Sequence, residues 1–361
     1  MVQEYLTKKI SMNKLPKSQF PEENKEAIYL CLSSDSNYEP HLWVTIYTIL
    51  QNAKSNKKYN IYILDGGIKH KEYFYKLIES DKRFHIQFLD MSNQYISVYE
   101  SRHVSKAAYY RLSILDIFKD FDKVMYLDAD SYVLGDINEL FDMNIKDKQI
   151  AGVKDSITYE IPWREKKISY KNYSGKALDY FKEYLHLSDS KLNNYFSSGV
   201  LVFNLKKIDK EKKIRKLKEL LKNDYYCHDQ DILNLLFDEN ETFLLGREWN
   251  YFNSGPVLKA DEFFNDEERN NYLNGKISPK VVSYVLKPWL KENLDKPYVK
   301  EYWDILSLSP YYSDVKREME SNTKWNRFKK KSLKEKIKYL TSIDAIEKYK
   351  SVLKKLYGNK K

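Results

Sequence analysis

Two aspartates one residue apart, Asp128 and Asp130, follow directly on the apolar run Lys123–Leu127. In extended chain, residues i and i+2 point to the same side. Two carboxylates at the carboxyl end of a strand can therefore converge on one hard divalent cation, Mn2+ or Mg2+, which takes oxygen ligands and keeps substrate phosphate oxygens in its shell. Two solvated aspartates in a turn give the same local pattern, and the local sequence leaves both readings open. Arg111 lies in an otherwise apolar stretch, where a guanidinium needs a partner. Asp130, a substrate phosphate and a structural ion pair all qualify. Asp35 and Asn37, in the polar loop Ser33–Tyr38, suit hydrogen bonds to a base or ribose, or a helix cap. Asp229 and Gln230 open a helical run, where acidic residues are ordinary. Lys287-Pro288-Trp289 sets a cation beside a rigid residue and a large aromatic surface, fit for a diphosphate contact and for stacking or packing.

The elements that must position these residues alternate. Apolar runs at Ala27–Ser33, Tyr59–Leu64, Phe84–Leu89 and Lys123–Leu127 read as strands, with Gly199–Leu205 a further strong one and Gln149–Val153 a weaker one. Helical spacing occupies His41–Leu50, Glu72–Ser80, Lys106–Ile117, Ile137–Phe141, Lys206–Lys222 and His228–Phe237. This alternation predicts an α/β fold, a mostly parallel sheet with helices on its faces. Open sheets of that kind bind ligands beyond the carboxyl ends of their strands, which is where Asp35 and Asp128 fall. Residues 155–195 are polar and tyrosine-rich, a loop or helical excursion over the sheet. Three regions are expected: a leader at 1–26, a catalytic domain at 27–297, and a basic helical region at 298–361.

Composition narrows the class. Of 361 residues, 42% are hydrophobic and 32% charged, enough for a sizeable core. Two cysteines, Cys31 and Cys227, exclude a disulfide scaffold and read as buried reduced thiols. Met1–Phe20 has no signal-like apolar run, and no stretch has the length of a spanning helix, so a cytoplasmic location is expected. The formal charge of +10 is concentrated: Lys324–Lys361 holds 14 Lys or Arg against 3 Asp or Glu, which leaves the rest of the chain near −1. A globule so close to neutral argues against a nucleic-acid-binding domain. Aromatic and aliphatic residues interleave with those lysines, a pattern suited to an anionic membrane surface.

Taken in order, SSDSNY (33–38), AAYYRL (107–112), KVMYLDADSYVLGDINELF (123–141), FSSGVLVFNLKKI (196–208), HDQDILNLLF (228–237), EWNY (248–251) and KPWL (287–290) resemble glycosyltransferase family 8. That family comprises retaining hexosyltransferases related to lipopolysaccharide galactosyl- and glucosyltransferases and to glycogenin. The resemblance spans roughly residues 27–290. It implies a GT-A fold and transfer of glucose or galactose from a UDP-sugar to a glycan, glycolipid or glycoprotein acceptor at the inner face of the cell membrane. It further implies that Asp35 and Asn37 contact uridine, that Asp128 and Asp130 bind Mn2+, that Arg111 holds the donor side, and that Lys287 contacts the diphosphate. Asp229 and Gln230 would lie beside the transferred sugar, with Gln230 stabilising the reacting centre. Two departures stand out. The family's metal-binding histidine before Lys-Pro-Trp is missing, since Val281–Leu286 contains neither His nor Gly, and Ser283 and Tyr284 are the nearest oxygen donors. Ser197-Ser198-Gly199 replaces a more usual Asn-Ala-Gly. A catalytically impaired UDP-sugar-binding or assembly protein is the alternative these departures raise.

Overall fold

The structure, a computed structural model, describes residues 27–98, 100, 105–171, 173–253 and 259–321. The expected leader and the basic stretch from Lys324 onward lie outside the described residues.

The four apolar runs of the first half form β1 (Ala27–Ser34), β2 (Lys58–Asp65), β3 (Phe84–Asp90) and β4 (Val124–Asp128). All eight residues of β1 are buried, as a strand covered on both faces must be. It pairs in parallel with β2 and β4, and β2 pairs in parallel with β3. Register sets the site: Ser33 lies opposite Asp128 across β1 and β4, so the Ser33–Tyr38 loop leaves the sheet beside the Asp pair. β5 (Ser131–Val133) follows at once and belongs to a second sheet.

The main sheet is completed by β6 (Ile150–Lys154), β9 (Phe196–Phe203) and β10 (Thr242–Leu245) in the order β10-β6-β9-β4-β1-β2-β3. Between β6 and β9 the tyrosine-rich excursion contains a hairpin of β7 (Lys167–Tyr170) and β8 (Tyr173–Lys176). The sheet is mostly parallel, as expected, but β9 runs antiparallel to both β4 and β6. An apolar run reads the same in either direction, so its sequence could not show this. The consequence is local: β9 sets Leu127 opposite Val200 and brings Ser198 and Gly199 beside Asp128. The small sheet consists of β11 (Tyr251–Phe252), β12 (Val281–Ser283) and β5, with Ser283 opposite Ser131.

Helix α1 (Glu39–Asn52) starts with a proline in its first turn, where no N–H is needed. Helices α2 (Lys71–Ile78) and α4 (His228–Leu236) flank the sheet, and α3 (Lys210–Leu220) packs on α4. The expected helix at Lys106–Ile117 winds instead as a tighter 3-10 turn through Ser113 before Ile114–Ile117 becomes α-helical. Ala107, Tyr110 and Ser113 share a face at that three-residue repeat, and all three are buried.

The chain then folds back. Helices α5 (Val299–Leu306) and α6 (Tyr312–Ser321) bury Val299, Tyr302, Leu306 and Val315, and Tyr311 of the turn between them is buried too. Tyr302 hydroxyl meets His41 of α1 at 2.6 Å, and Tyr311 hydroxyl donates to buried Glu39 at 2.7 Å. Residues 299–321, with five acidic and three basic side chains, are thus packed on the globule and carry no basic excess. Both cysteines are free thiols, Cys31 buried and Cys227 half-buried. Among the described residues no helix is long and apolar enough to cross a membrane.

Candidate active site

At the carboxyl ends of β1 and β4 lie two adjoining clefts, of about 360 Å³ and 560 Å³. Asp128, Asp130, Ser198, Gln230 and Lys287 line both. The first cleft continues past Asp35, Tyr38, Arg111 and Asp229. The second continues past Asp155, Glu160, Trp163, Lys166, Ser283 and Tyr284. Seven of the eight residues singled out in the sequence therefore share one concavity. Asn37 is exposed on its loop and is not among the lining residues.

Arg111 is the hub. It is 4% exposed, its Nη2 lies 2.7 Å from Asp128 Oδ1 and its Nε 3.0 Å from Asp229 Oδ2. It also donates to the Ala108 and Ser198 carbonyls, and its guanidinium lies over the Tyr126 ring at 4.5 Å. The partner is thus Asp128 with Asp229, not Asp130. Burial raises the Asp128 pKa, with Asp130 and Asp229 acting in the same sense and Arg111 opposing. Burial raises Asp229 likewise, against Arg111. Tyr126 adds a hydroxyl bond to Asp128 Oδ1 at 3.1 Å.

Lys287 reaches Asp130 in an ion pair. Its burial favours the neutral amine, but Asp130 and Tyr38 outweigh this and leave its pKa raised. Its ammonium lies 5.8 Å from the Tyr38 ring centre and 5.7 Å from that of Trp289. Asp35 folds back on its own loop, its carboxylate accepting from the N–H groups of Asn37 at 2.9 Å and Tyr38 at 3.3 Å. It caps the turn and faces the first cleft at once.

Gln230 is held on both ends of its amide. Its carbonyl accepts from the Ser198 N–H at 3.1 Å, and its NH2 donates to Asp155 at 3.2 Å. Asp155 also accepts from the Ile157 N–H at 3.1 Å and from Trp163, and burial raises its pKa. It joins the floor of the first cleft to the wall of the second, a role no local motif signals. At the head of α4, His228 takes a left-handed backbone with φ of 53°, a conformation a non-glycine residue holds only when its surroundings impose it. Its ring meets the Tyr109 hydroxyl at 3.1 Å.

For a divalent ion, Asp128 and Asp130 supply two hard carboxylates, but among the described residues no group of three His, Cys, Asp or Glu gathers. Where a histidine was expected, Ser283 hydroxyl donates to Asn250 at 2.5 Å, and the Asn250 amide donates to Ser197 at 3.2 Å. Both Ser283 Oγ and the Asn250 amide lie beside the same backbone point, Gly199, that abuts Asp128 Oδ2. The residues fit an ion that takes one or two carboxylates and completes its shell with substrate oxygens and water. They do not form a cage of protein ligands alone.

A family model described as glycosyl transferase family 8 matches residues 29–293. The chain belongs to glycosyl transferase family 8. General stress protein A of Bacillus subtilis (strain 168) is 30% identical over 299 residues, 79% of this chain and 95% of that protein. Lipopolysaccharide 1,2-glucosyltransferase of Escherichia coli (strain K12) is 27% identical over 308 residues, 82% of each. Among solved structures, the bifunctional glycosyltransferase WbbM superposes with a TM-score of 0.72 at 24% identity, covering 86% of this chain and 55% of that one. The galactosyltransferase LgtC, in complex with donor and acceptor sugar analogues, gives 0.60 at 21%, covering 78% and 96%. These likenesses bear out the GT-A fold, and the family makes the chain a glycosyltransferase.

Proposed function

We propose that this family 8 member transfers a hexose, glucose or galactose, from a UDP-sugar to a hydroxyl of a glycan, glycolipid or glycoprotein, with retention of configuration. The observation that carries the reading is the pair of clefts sharing one floor. A donor in the first and an acceptor in the second would meet over Asp128, Asp130, Gln230 and Lys287; retention requires the acceptor hydroxyl to approach from the side the diphosphate leaves. Asp35 would meet the nucleoside, without the exposed Asn37, and Arg111 with Asp229 the donor sugar. A divalent ion, Mn2+ or Mg2+, held by Asp128 and Asp130 would neutralise charge on the diphosphate leaving group. Lys287 adds a preorganised cation at the same charge.

Gln230 is assigned to stabilising the electron-poor anomeric carbon. Its carbonyl already accepts one hydrogen bond, and Asp155 draws on its NH2, which enriches the oxygen while the amide stays in place. The acceptor proton passes to the departing phosphate. Trp163, Glu160 and Asp155 offer the acceptor an aromatic face and two carboxylates, suited to sugar hydroxyls. The 14 basic residues of Lys324–Lys361 would hold the enzyme at the anionic cytoplasmic face of the membrane, with no part for nucleic acid.

The test is a calorimetric titration with UDP, with and without Mn2+, on wild type and Asp130→Ala. Binding that needs the ion and is lost in the variant is expected. Absence of UDP binding in both conditions refutes the donor assignment. That no third acidic or histidine ligand gathers among the described residues favours one second reading, a UDP-sugar-binding protein without transfer. Slow hydrolysis of UDP-glucose or UDP-galactose by the wild type would dispose of it.

A further inference from the structure

Lys287 belongs to the segment Leu286–Trp289, whose backbone is anchored at three points. Asn253 pairs with Leu286 through both its amide groups, at 2.9 and 3.0 Å, Asn293 donates to the Lys287 carbonyl at 3.0 Å, and Trp303 donates to the Pro288 carbonyl at 3.0 Å. These bonds fix the path of the chain. They do not set where the ammonium points, which depends on its ion pair with Asp130 and on the rings around it.

Those rings converge on one residue. His41 lies in the first turn of α1, immediately after the Asp35 loop, and is 5% exposed. Its imidazole stacks on the Trp289 indole with centroids 3.3 Å apart and planes 10° from parallel. Tyr38 stands edge-on to both, at 5.5 Å from His41 and 5.7 Å from Trp289. On its far side His41 Nδ1 meets the Tyr302 hydroxyl of α5 at 2.6 Å. The imidazole therefore seats the two rings that flank the Lys287 ammonium and is itself fixed by the C-terminal helices.

We infer that His41 is a positioning residue for the donor diphosphate: it holds Trp289 and Tyr38 so that Lys287 is presented to the leaving group. The inference rests on the UDP-sugar reading above. Burial and the neighbouring Lys287 cation both keep His41 neutral, consistent with a ring that stacks beside a cation without competing with it. Because the effect runs through Lys287, it falls on the diphosphate and spares the nucleoside.

That selectivity is the test. UDP and uridine are titrated, by ligand-observed NMR with Mn2+ present, into wild type, His41→Ala, His41→Phe and Trp289→Leu, each checked for its melting midpoint. Loss of a charge-assisted contact corresponds to about tenfold in affinity. His41→Ala and Trp289→Leu are expected to weaken UDP by about tenfold and uridine by less than about twofold, and His41→Phe, which restores a ring, to recover most of the loss. Trp289→Leu probes the same contact from the less buried side if His41→Ala does not fold. An equal loss for UDP and uridine makes His41 a general support of the fold and overturns the inference. So does unchanged UDP affinity, or a Phe variant as weak as Ala. Wild type that binds uridine but gains nothing from the diphosphate overturns the inference and leaves a nucleoside site standing, whereas wild type that binds neither ligand removes the UDP-sugar reading itself.

Discussion

Asp130 faces two claimants. It is ion-paired with Lys287, yet a divalent ion on Asp128 and Asp130 would need the same oxygens. The pairing keeps two half-buried carboxylates from facing each other uncompensated, since Arg111 neutralises one and Lys287 the other. When UDP arrives, its diphosphate offers Lys287 a new partner and frees Asp130. Ion and nucleotide should therefore bind with strong mutual dependence, each raising the affinity for the other by the same factor. The expected outcome is counterintuitive for a lysine in an active site. In Lys287→Ala the nucleotide-free protein should bind Mn2+ severalfold more tightly than wild type, while UDP affinity falls by about tenfold. Titration of Mn2+ by its electron paramagnetic resonance signal, without and with UDP, measures both. Equal Mn2+ affinity in the two nucleotide-free proteins would show that Lys287 does not guard Asp130. The Asp pair was legible in sequence because period-two geometry and a preceding apolar run say where it lies. The hydrogen-bonded chain from Ser283 through Asn250 to Ser197 was not, because it joins three segments far apart in the sequence.

The elements follow the same division. Runs buried on both faces, such as β1 and β2, were readable to within a residue, since continuous apolarity over six to eight positions fits a buried strand and is too short for a buried helix. The direction of β9 and the three-strand sheet of β5, β11 and β12 were not, the first because apolarity has no polarity of direction, the second because two or three residues carry no period. The excursion at 155–195 was equally opaque. It is tied to α4 by Asp231, whose Oδ2 accepts from Tyr180 at 2.9 Å and from the Cys227 N–H at 2.9 Å, and whose Oδ1 accepts from Tyr195 at 2.6 Å. Asp231 is fully buried, and burial pushes its pKa up to about 6, against the pull of those donors. The folded-state value lies above the unfolded one of about 3.9, so the native state holds this proton more tightly. Its contribution to stability is greatest below about pH 4, declines as pH rises to about 6, and is constant beyond, a total on the order of 3 kcal/mol. Asp231→Asn should flatten that part of the profile, although loss of an acceptor lowers stability at every pH. Urea unfolding at pH 4, 5, 6 and 7 gives the two slopes, and identical slopes would assign the dependence to other carboxylates.

At the scale of the whole molecule, the C-terminal region divides by charge at Lys324, as the sequence marks, and the part up to Ser321 packs on the globule. The division expected at 297 and 298 joined all that follows into one basic region, yet Val299–Ser321 packs on α1 and carries Tyr302 and Tyr311, which meet His41 and Glu39. The positive excess begins only at Lys324. Two truncations should therefore behave differently. A chain ending at Ser321 keeps the support of His41 and should bind UDP within about twofold of wild type, while losing the fourteen basic residues beyond it. With each lysine near an anionic surface contributing about 1 kcal/mol, its partition onto vesicles of phosphatidylglycerol and phosphatidylcholine should fall by several orders of magnitude. A chain ending at Pro297 removes the Tyr302 hydroxyl and exposes the face of α1 that α5 covers, so UDP affinity should drop along with the melting midpoint. Vesicle sedimentation and UDP titration on the two truncations separate the roles. If the chain ending at Ser321 still sediments with anionic vesicles, the membrane contact lies on the globule, and the basic residues need another anionic partner.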